Sequence, residues 1–235
     1  MSEKTKRPSS VGIIMDGNRR WAKNKGMLAL KGHHAGADTL KNVVRWAKDA
    51  GIGNIIFYTF STENWNRAQE EVSYLLNLLG EFLEKELDYF HKEGGVLHFA
   101  GDLSRFSPEL QQKLENAKAK TAGNPGPHVY FALNYGGRAE ILSAVKKIVA
   151  ENLEEKIPQE EITEEYFGKH LQTYPMPDPD IIIRTSGELR LSGFLPWQGV
   201  YSELFFTKTL WPDFSKEEFM NILEEYGNRD IRRGK

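Results

Sequence analysis

Val11-Gly12-Ile13-Ile14-Met15-Asp16-Gly17-Asn18-Arg19-Arg20-Trp21-Ala22-Lys23 passes from an apolar run straight into a carboxylate, a glycine and a cationic segment. Val11–Met15 is continuously apolar, as in a strand covered on both faces, rather than alternating. Five further runs share that character: Asn54–Phe60, Val96–Ala100, His128–Leu133, Asp180–Arg184 and, more weakly, Glu203–Phe206. Helix-period segments lie between them. Leu40, Val43, Val44 and Ala47 form one apolar stripe, and Ile141, Ala144, Val145 and Ile148 form another. Strands alternating with helices predict an α/β fold with a mostly parallel central sheet flanked by helices. In such sheets ligands sit beyond the carboxyl ends of the strands, which directs attention to the loops there.

A helix expected from about Glu71 to Glu93 is too apolar for one stripe, with Val72, Leu75, Leu76, Leu79, Phe82 and Leu83 among its apolar residues. Such a helix must bury two faces. It is either a central core helix or dimer contact, or it packs one face on the sheet and lines an apolar tunnel with the other. Composition narrows the function. The 235 residues include no cysteine, which excludes disulfides, thiolate metal sites and a Cys nucleophile. Lys plus Arg number 31 and Asp plus Glu 33, a net charge of -2, so no nucleic-acid partner is expected and any anion site must be a local basic pocket. The N-terminal MSEKTKRPSS has no apolar signal region, and no run approaches the roughly 18–20 apolar residues of a membrane span. A soluble, cytoplasmic protein without a transmembrane segment is expected, with contact at a membrane surface left open. There is no GxxxxGK[ST] loop and no GxSxG elbow, which argues against a P-loop NTPase and an α/β-hydrolase.

Four segments could carry chemistry. Asp16 ends the first strand, Gly17 permits close backbone approach, and Asn18 is suited to cap a helix followed by Arg19, Arg20, Lys23 and Lys25. One carboxylate amid donors and cations suits a diphosphate with Mg²⁺; a capped helix with a solvated charged face is the plainer reading. Lys31-Gly32-His33-His34-Ala35-Gly36 offers a structural hydrogen-bonder or a second diphosphate contact, and no third ligand has zinc spacing. Phe60-Ser61-Thr62-Glu63-Asn64-Trp65-Asn66-Arg67 is a strand-to-helix connector or a lid. Arg184, Arg190 and Ser192 could clamp a phosphate, with Glu203 as a second carboxylate, or form surface ion pairs.

Together these segments resemble the cis-prenyltransferases, most closely the bacterial undecaprenyl diphosphate synthases. The resemblance runs from about Val11 to about Phe214, through IIMDGNRRWAK (13–23), GHHAG (32–36), FSTENWNR (60–67), NYGGR (134–138), IIIRTSGELRLSGFLPWQ (181–198), YSELFF (201–206) and LWPDF (210–214). It implies one domain over residues 1–235, with 1–10 and about 229–235 flexible, a hydrophobic tunnel and a homodimer. The implied reaction is Mg²⁺-dependent condensation of isopentenyl diphosphate onto an allylic diphosphate, farnesyl diphosphate by expectation, giving a long-chain polyprenyl diphosphate such as undecaprenyl diphosphate. A non-catalytic prenyl-binding partner subunit is the alternative.

By the same resemblance, Asp16 and Glu203 hold Mg²⁺, and Asp16 assists diphosphate departure. Gly17, Asn18, Arg19, Arg20 and His33 hold the allylic diphosphate, with Trp21 also at the substrate site. Arg184, Arg190 and Ser192 hold isopentenyl diphosphate. Ser61 and Asn64 orient the reacting groups or assist proton removal, Phe60 and Trp65 line the reacting end, and Arg67 grips a diphosphate. The tunnel wall is expected from the Glu71–Glu93 helix with Leu97, Phe99, Val129 and Phe131, and from Ala100 if it faces inward. Arg232-Arg233-Gly234 matches a C-terminal element that reaches a partner subunit. Ala29 stands where the family usually has Arg, implying a weaker allylic grip, and Gly193 where it usually has Asn, implying a looser loop.

Overall fold

In the computed structural model, residues 6–155 and 157–230 are described. Arg232-Arg233-Gly234 lies outside them. The elements follow as β1 (Ser10–Ile14), α1 (Asn18–Asn24), α2 (Ala29–Asp49), β2 (Asn54–Ser61), α3 (Gln69–Lys92), β3 (Val96–Ala100) and α4 (Pro108–Thr121). They continue as β4 (His128–Tyr135), α5 (Gly137–Glu155), α6 (Glu164–Lys169), β5 (Ile181–Arg184), β6 (Glu203–Phe206) and α7 (Lys216–Asn228). The six strands form one sheet in the order β3-β4-β2-β1-β5-β6, every pair parallel. All six apolar runs are strands, shifted by a residue or two at some ends. The strand ends are anchored too: the Asp180 carboxylate accepts from the Ser9 and Ser10 amides, and Arg229 pairs with Glu203.

The continuous apolar runs arise because both faces are covered, unequally. On one face Val11, Ile13, Ile55, Phe57, Val129 and Phe131 pack beneath α2, α3, α4 and α7. On the other, Ile14, Ile56, Tyr130 and Ile182 meet Met176, Phe194 and Leu195 from the long segments around β5. The α2 stripe Leu40, Val43, Val44 and Ala47 is buried as expected. In α5, Ala144 and Ile148 are buried but Val145 is exposed, a correction to the expected stripe. The turn of α5 has carried Val145 to the side shared by Leu142, Val149 and Leu153, all exposed.

Two glycine sites place α1. Gly17, at φ 108, turns the chain from β1 into the helix, and its left-handed backbone makes it the residue before the first turn. Asn18 is therefore the first helical residue rather than a side-chain cap, and its Nδ2 donates to the Met15 carbonyl. On α2, a Cβ at Gly32 would stand 2.0 Å from the Asn18 carbonyl oxygen, and one at Gly36 would stand 2.3 Å from Asn18 Oδ1. The two glycines, one helical turn apart, are the groove into which α1 settles. Gly32→Ala should therefore force α1 away from α2 and cost about 1–3 kcal/mol. Urea unfolding checks this, and an unchanged midpoint would show that the groove has slack.

Candidate active site

Asp16 and Arg184 meet because β1 and β5 are neighbours in parallel register, Ile14 opposite Arg184. The Arg184 side chain, only 5% exposed, donates from Nη2 to Asp16 Oδ2 at 2.9 Å. Its Nη1 donates to Ser192 Oγ at 2.9 Å and to the Arg190 carbonyl. Its Nε is buried and has no protein partner among the described residues. Arg20 approaches Asp16 from the other side, 3.5 Å from Oδ1, and is itself held by Ser186. Burial by itself would raise the Asp16 carboxyl. The Arg184 and Ser186 hydrogen bonds and the two guanidinium charges outweigh it and hold the carboxyl below its usual range. Its backbone is fixed too: Thr185 Oγ1 accepts from the Asp16 amide, and the Trp211 amide donates to the Asp16 carbonyl.

Two cavities open at this rim. A cleft of about 930 Å³ runs from Asp16, Arg184 and Ser192 between α2 and α3, where Leu75, Leu76, Leu79, Phe82 and Phe131 make its wall. A pocket of about 510 Å³ adjoins it, lined by Gly17, Arg19, Arg20, Lys23, Ala29 and Arg67. His33 and Asn18 border both. His33 Nε2 is buried and has no hydrogen-bond partner among the described residues. Burial, reinforced by the Arg67 charge, pushes the His33 imidazole down to about 4, so it is neutral near pH 7. A neutral ring can still donate one N–H to an anion. Arg67 and Arg19 both pair with Glu71, which holds the two cations at one wall. Glu71 went unread as a site residue. Its signal was the Arg67 to Glu71 spacing of four at a helix start.

The structure thus gathers Asp16, Gly17, Asn18, Arg19, Arg20, His33, Arg67, Arg184 and Ser192 at one rim. Phe60, Ser61 and Asn64 border the cleft as well. Ser61 and Asn64 form a reciprocal capping box over the 62–66 turn, with the Ser61 amide donating to Asn64 Oδ1 at 3.0 Å. Four placements differ from expectation. Trp65 lines neither cavity: its indole donates to Asn134 Oδ1 at 2.8 Å, and its ring packs with Phe60, Phe106 and Arg105. Trp21 turns outward and donates to Asp213. Arg190 is 60% exposed and pairs with Glu188, contributing its backbone carbonyl to Arg184.

Glu203 is the fourth, and the largest correction. It stands opposite Ile181 at the start of β6, whereas Arg184 stands opposite Phe206. A parallel strand rises about 3.3 Å per residue, so Glu203 lies roughly 10 Å back toward the amino-terminal ends of the strands. There it pairs with Arg229. Within one chain Asp16 and Glu203 do not form a metal pair. No three His, Asp or Glu side chains converge among the described residues. A divalent ion at Asp16 would take most of its oxygens from substrate phosphates and water, the usual arrangement for Mg²⁺.

Of the four strand residues expected on the tunnel wall, Phe131 lines the cleft, whereas Leu97, Phe99 and Val129 pack in the core and do not. Ala100 pairs with Ala132 of the opposite-face cluster and also faces away. The loop at Gly193 is pinned rather than loose: the glycine takes φ 79, and its carbonyl accepts from the Gly137 amide at 2.9 Å. Tyr58, unread in the sequence, stacks on Phe194 and donates to the Ser192 carbonyl at 3.2 Å.

A cation-lined pocket, a carboxylate gripped by two arginines and an apolar cleft thus meet at one rim of the sheet. The family model described as "Putative undecaprenyl diphosphate synthase" matches residues 14–234. The isoprenyl transferase of Streptococcus pyogenes serotype M3 is 46% identical over 232 residues, 97% of this chain and 93% of the relative. That of Clostridium perfringens is 44% identical over 229 residues, 97% and 90% of the two chains. Lavandulyl diphosphate synthase from Lavandula x intermedia, solved with dimethylallyl diphosphate, superposes with a TM-score of 0.94 at 33% identity, covering 97% of this chain and 99% of that one. A probable undecaprenyl diphosphate synthase from Campylobacter jejuni superposes at 0.81 with 31% identity, covering 98% and 100%. The chain belongs to the undecaprenyl diphosphate synthase family of cis-prenyltransferases and is a transferase.

His33 yields a pH test. The folded imidazole stays neutral while the unfolded one takes up a proton, so its contribution to stability is present above 6.5 and lost as pH falls toward about 4. His33→Gln should lose less stability than the parent across that window. Equal losses in parallel urea titrations would contradict the burial of this ring.

Proposed function

We propose that the protein condenses isopentenyl diphosphate onto an allylic diphosphate, farnesyl diphosphate as primer, and extends it to a long polyprenyl diphosphate such as undecaprenyl diphosphate. The observation that carries this reading is the position of Asp16. Its carboxylate lies between Arg184–Ser192 on one side and the Arg20–His33 pocket on the other, directly above the apolar cleft.

Two diphosphates held on either side of Asp16 would bring their reacting carbons together, which can supply roughly 7–11 kcal/mol of the barrier. The allylic C–O bond breaks and its electron pair leaves with the diphosphate. The isopentenyl double bond then attacks the allylic carbon, and the resulting cation gives up a proton to the departed diphosphate, which restores the alkene. Arg19, Arg20 and Arg67, with a His33 N–H, would hold the departing anion, while Arg184 and Ser192 would hold the isopentenyl diphosphate. Ser61 and Asn64 would orient the reacting end, and Phe60 would keep water from the cation. Mg²⁺ bound at Asp16 would supply further neutralisation of diphosphate charge. The growing chain would enter the cleft as a tunnel, gaining about 0.8 kcal/mol per buried CH₂.

The pocket beside Ala29 carries four cations without an arginine at that position, and Lys31 is not on its wall. A homodimer is supported by the exposed stripe Leu142, Val145, Val149 and Leu153 on α5, together with Val200 and Tyr201. No helix among the described residues is long and apolar enough to cross a membrane. The proposed enzyme is cytoplasmic, and its long hydrocarbon product leaves through peripheral contact with a membrane, into which such a chain partitions.

Asp16→Ala should keep the fold and lower turnover by several orders of magnitude in a radiolabelled isopentenyl diphosphate assay with farnesyl diphosphate and Mg²⁺. Undiminished product would remove Asp16 from the chemistry. Leu75→Trp and Leu79→Trp should shorten the product on sizing, and an unchanged length in both would show that the chain grows elsewhere.

A further inference from the structure

Glu140 is a fully buried carboxylate that the reaction above does not use. It sits in the first turn of α5, one step behind the rim, and its carboxylate accepts from Tyr135, Thr173 and Gln198. Tyr135 Oη donates to Oε2 at 2.7 Å, and the Thr173 amide donates to Oε1 at 2.9 Å. Gln198 Nε2 donates to Oε2 at 3.2 Å and to Thr173 Oγ1 at 2.6 Å. Burying a carboxylate is costly unless its neighbours satisfy it, and removing one partner of such a group exposes that cost. The network joins the end of β4, the 171–176 segment and the far end of the loop that carries Ser192.

That loop needs anchoring. Ser186, Ser192 and Leu195 all take positive φ, of 81°, 51° and 51°, a conformation that costs non-glycine residues roughly 1–2 kcal/mol each. The loop is pressed onto the first turn of α5 at three levels. The Gly137 amide donates to the Gly193 carbonyl. Pro196 lies where a Cβ on Gly137 would be, 2.1 Å from its Cδ. Gln198 reaches Glu140. Ser192, at the head of this loop, then receives Arg184 Nη1 on its hydroxyl and Tyr58 on its carbonyl.

We propose that Glu140 is a positioning residue: through Gln198 and the first turn of α5 it sets the loop that aims Ser192 and Arg184 at the isopentenyl diphosphate. The proposal rests on the functional reading above. His33 and Arg67, on the allylic side, bond to none of the network's members, so the effect is confined to one substrate.

The test is steady-state kinetics of the full chain with the two diphosphates varied separately, alongside titration calorimetry with isopentenyl diphosphate. In Glu140→Gln, and separately in Gln198→Met, the KM and Kd for isopentenyl diphosphate should rise on the order of tenfold, the effect of losing one buried hydrogen bond. The KM for farnesyl diphosphate should stay within about twofold. The double variant Glu140→Gln/Gln198→Glu, which reverses donor and acceptor, should recover part of the loss. Equal movement of both KM values, or a lowered Tm with neither KM changed, overturns the positioning role. If Glu140→Gln does not fold, Gln198→Met decides by the same criterion. A parent protein that neither binds nor turns over the diphosphates overturns the functional reading and this proposal with it.

Discussion

The contact between Arg184 and Asp16 fixes the rest of the site. A guanidinium with 5% of its side chain exposed must have its charge answered nearby, and leaving one unpaired in a fully buried setting costs about 3–5 kcal/mol. The cost is smaller here because the Asp16 side is 31% open. That partial opening matters for function. It leaves the carboxylate ionised by its arginines and reachable from the cleft. The pair exists only because two parallel strands far apart in sequence end at the same level, so correct sheet register is a condition of having a site at all.

The unequal layers of the fold serve the same end. One face of the sheet carries four helices, and the space between two of them, α2 and α3, is left unfilled as the cleft. The excess apolar surface of α3 thereby has an explanation: Val72, Leu83 and Phe90 are buried in the core, while Leu75, Leu76 and Phe82 remain half-buried at the cleft wall. On the thinner face the connections around β5 do the covering, and there Gln198 and Thr173 tie them to Glu140 at the start of α5.

Much of this is legible in the sequence. Continuous rather than alternating apolar runs gave away a parallel sheet, and a carboxylate at the end of the first run with arginine at the end of the fifth pointed to the rim. What stayed hidden was long-range. Trp65 looked like a lid because nothing local reveals that Asn134, at the end of β4, accepts its N–H. Glu203 looked like a partner for Asp16 because only 19 positions separate it from Arg184. Yet a strand parallel to β5 has to begin at the amino-terminal end of the sheet, away from the rim, so the topology inferred from the sequence already argued against that pairing. Gly193 shows the reverse case, where a departure suggesting looseness turns out to supply the left-handed backbone that the loop requires.

The claim beneath the account is that two diphosphates dock on opposite sides of Asp16 with their hydrocarbon parts directed into one cleft. A crystal structure with isopentenyl diphosphate, Mg²⁺ and a thio-substituted, unreactive farnesyl diphosphate tests it most directly. One diphosphate should lie against Arg184 and Ser192, the other against Arg20 and His33, with the farnesyl tail along Leu75 and Phe82. Both diphosphates on the same side of Asp16, or a tail lying outside the cleft, would contradict it.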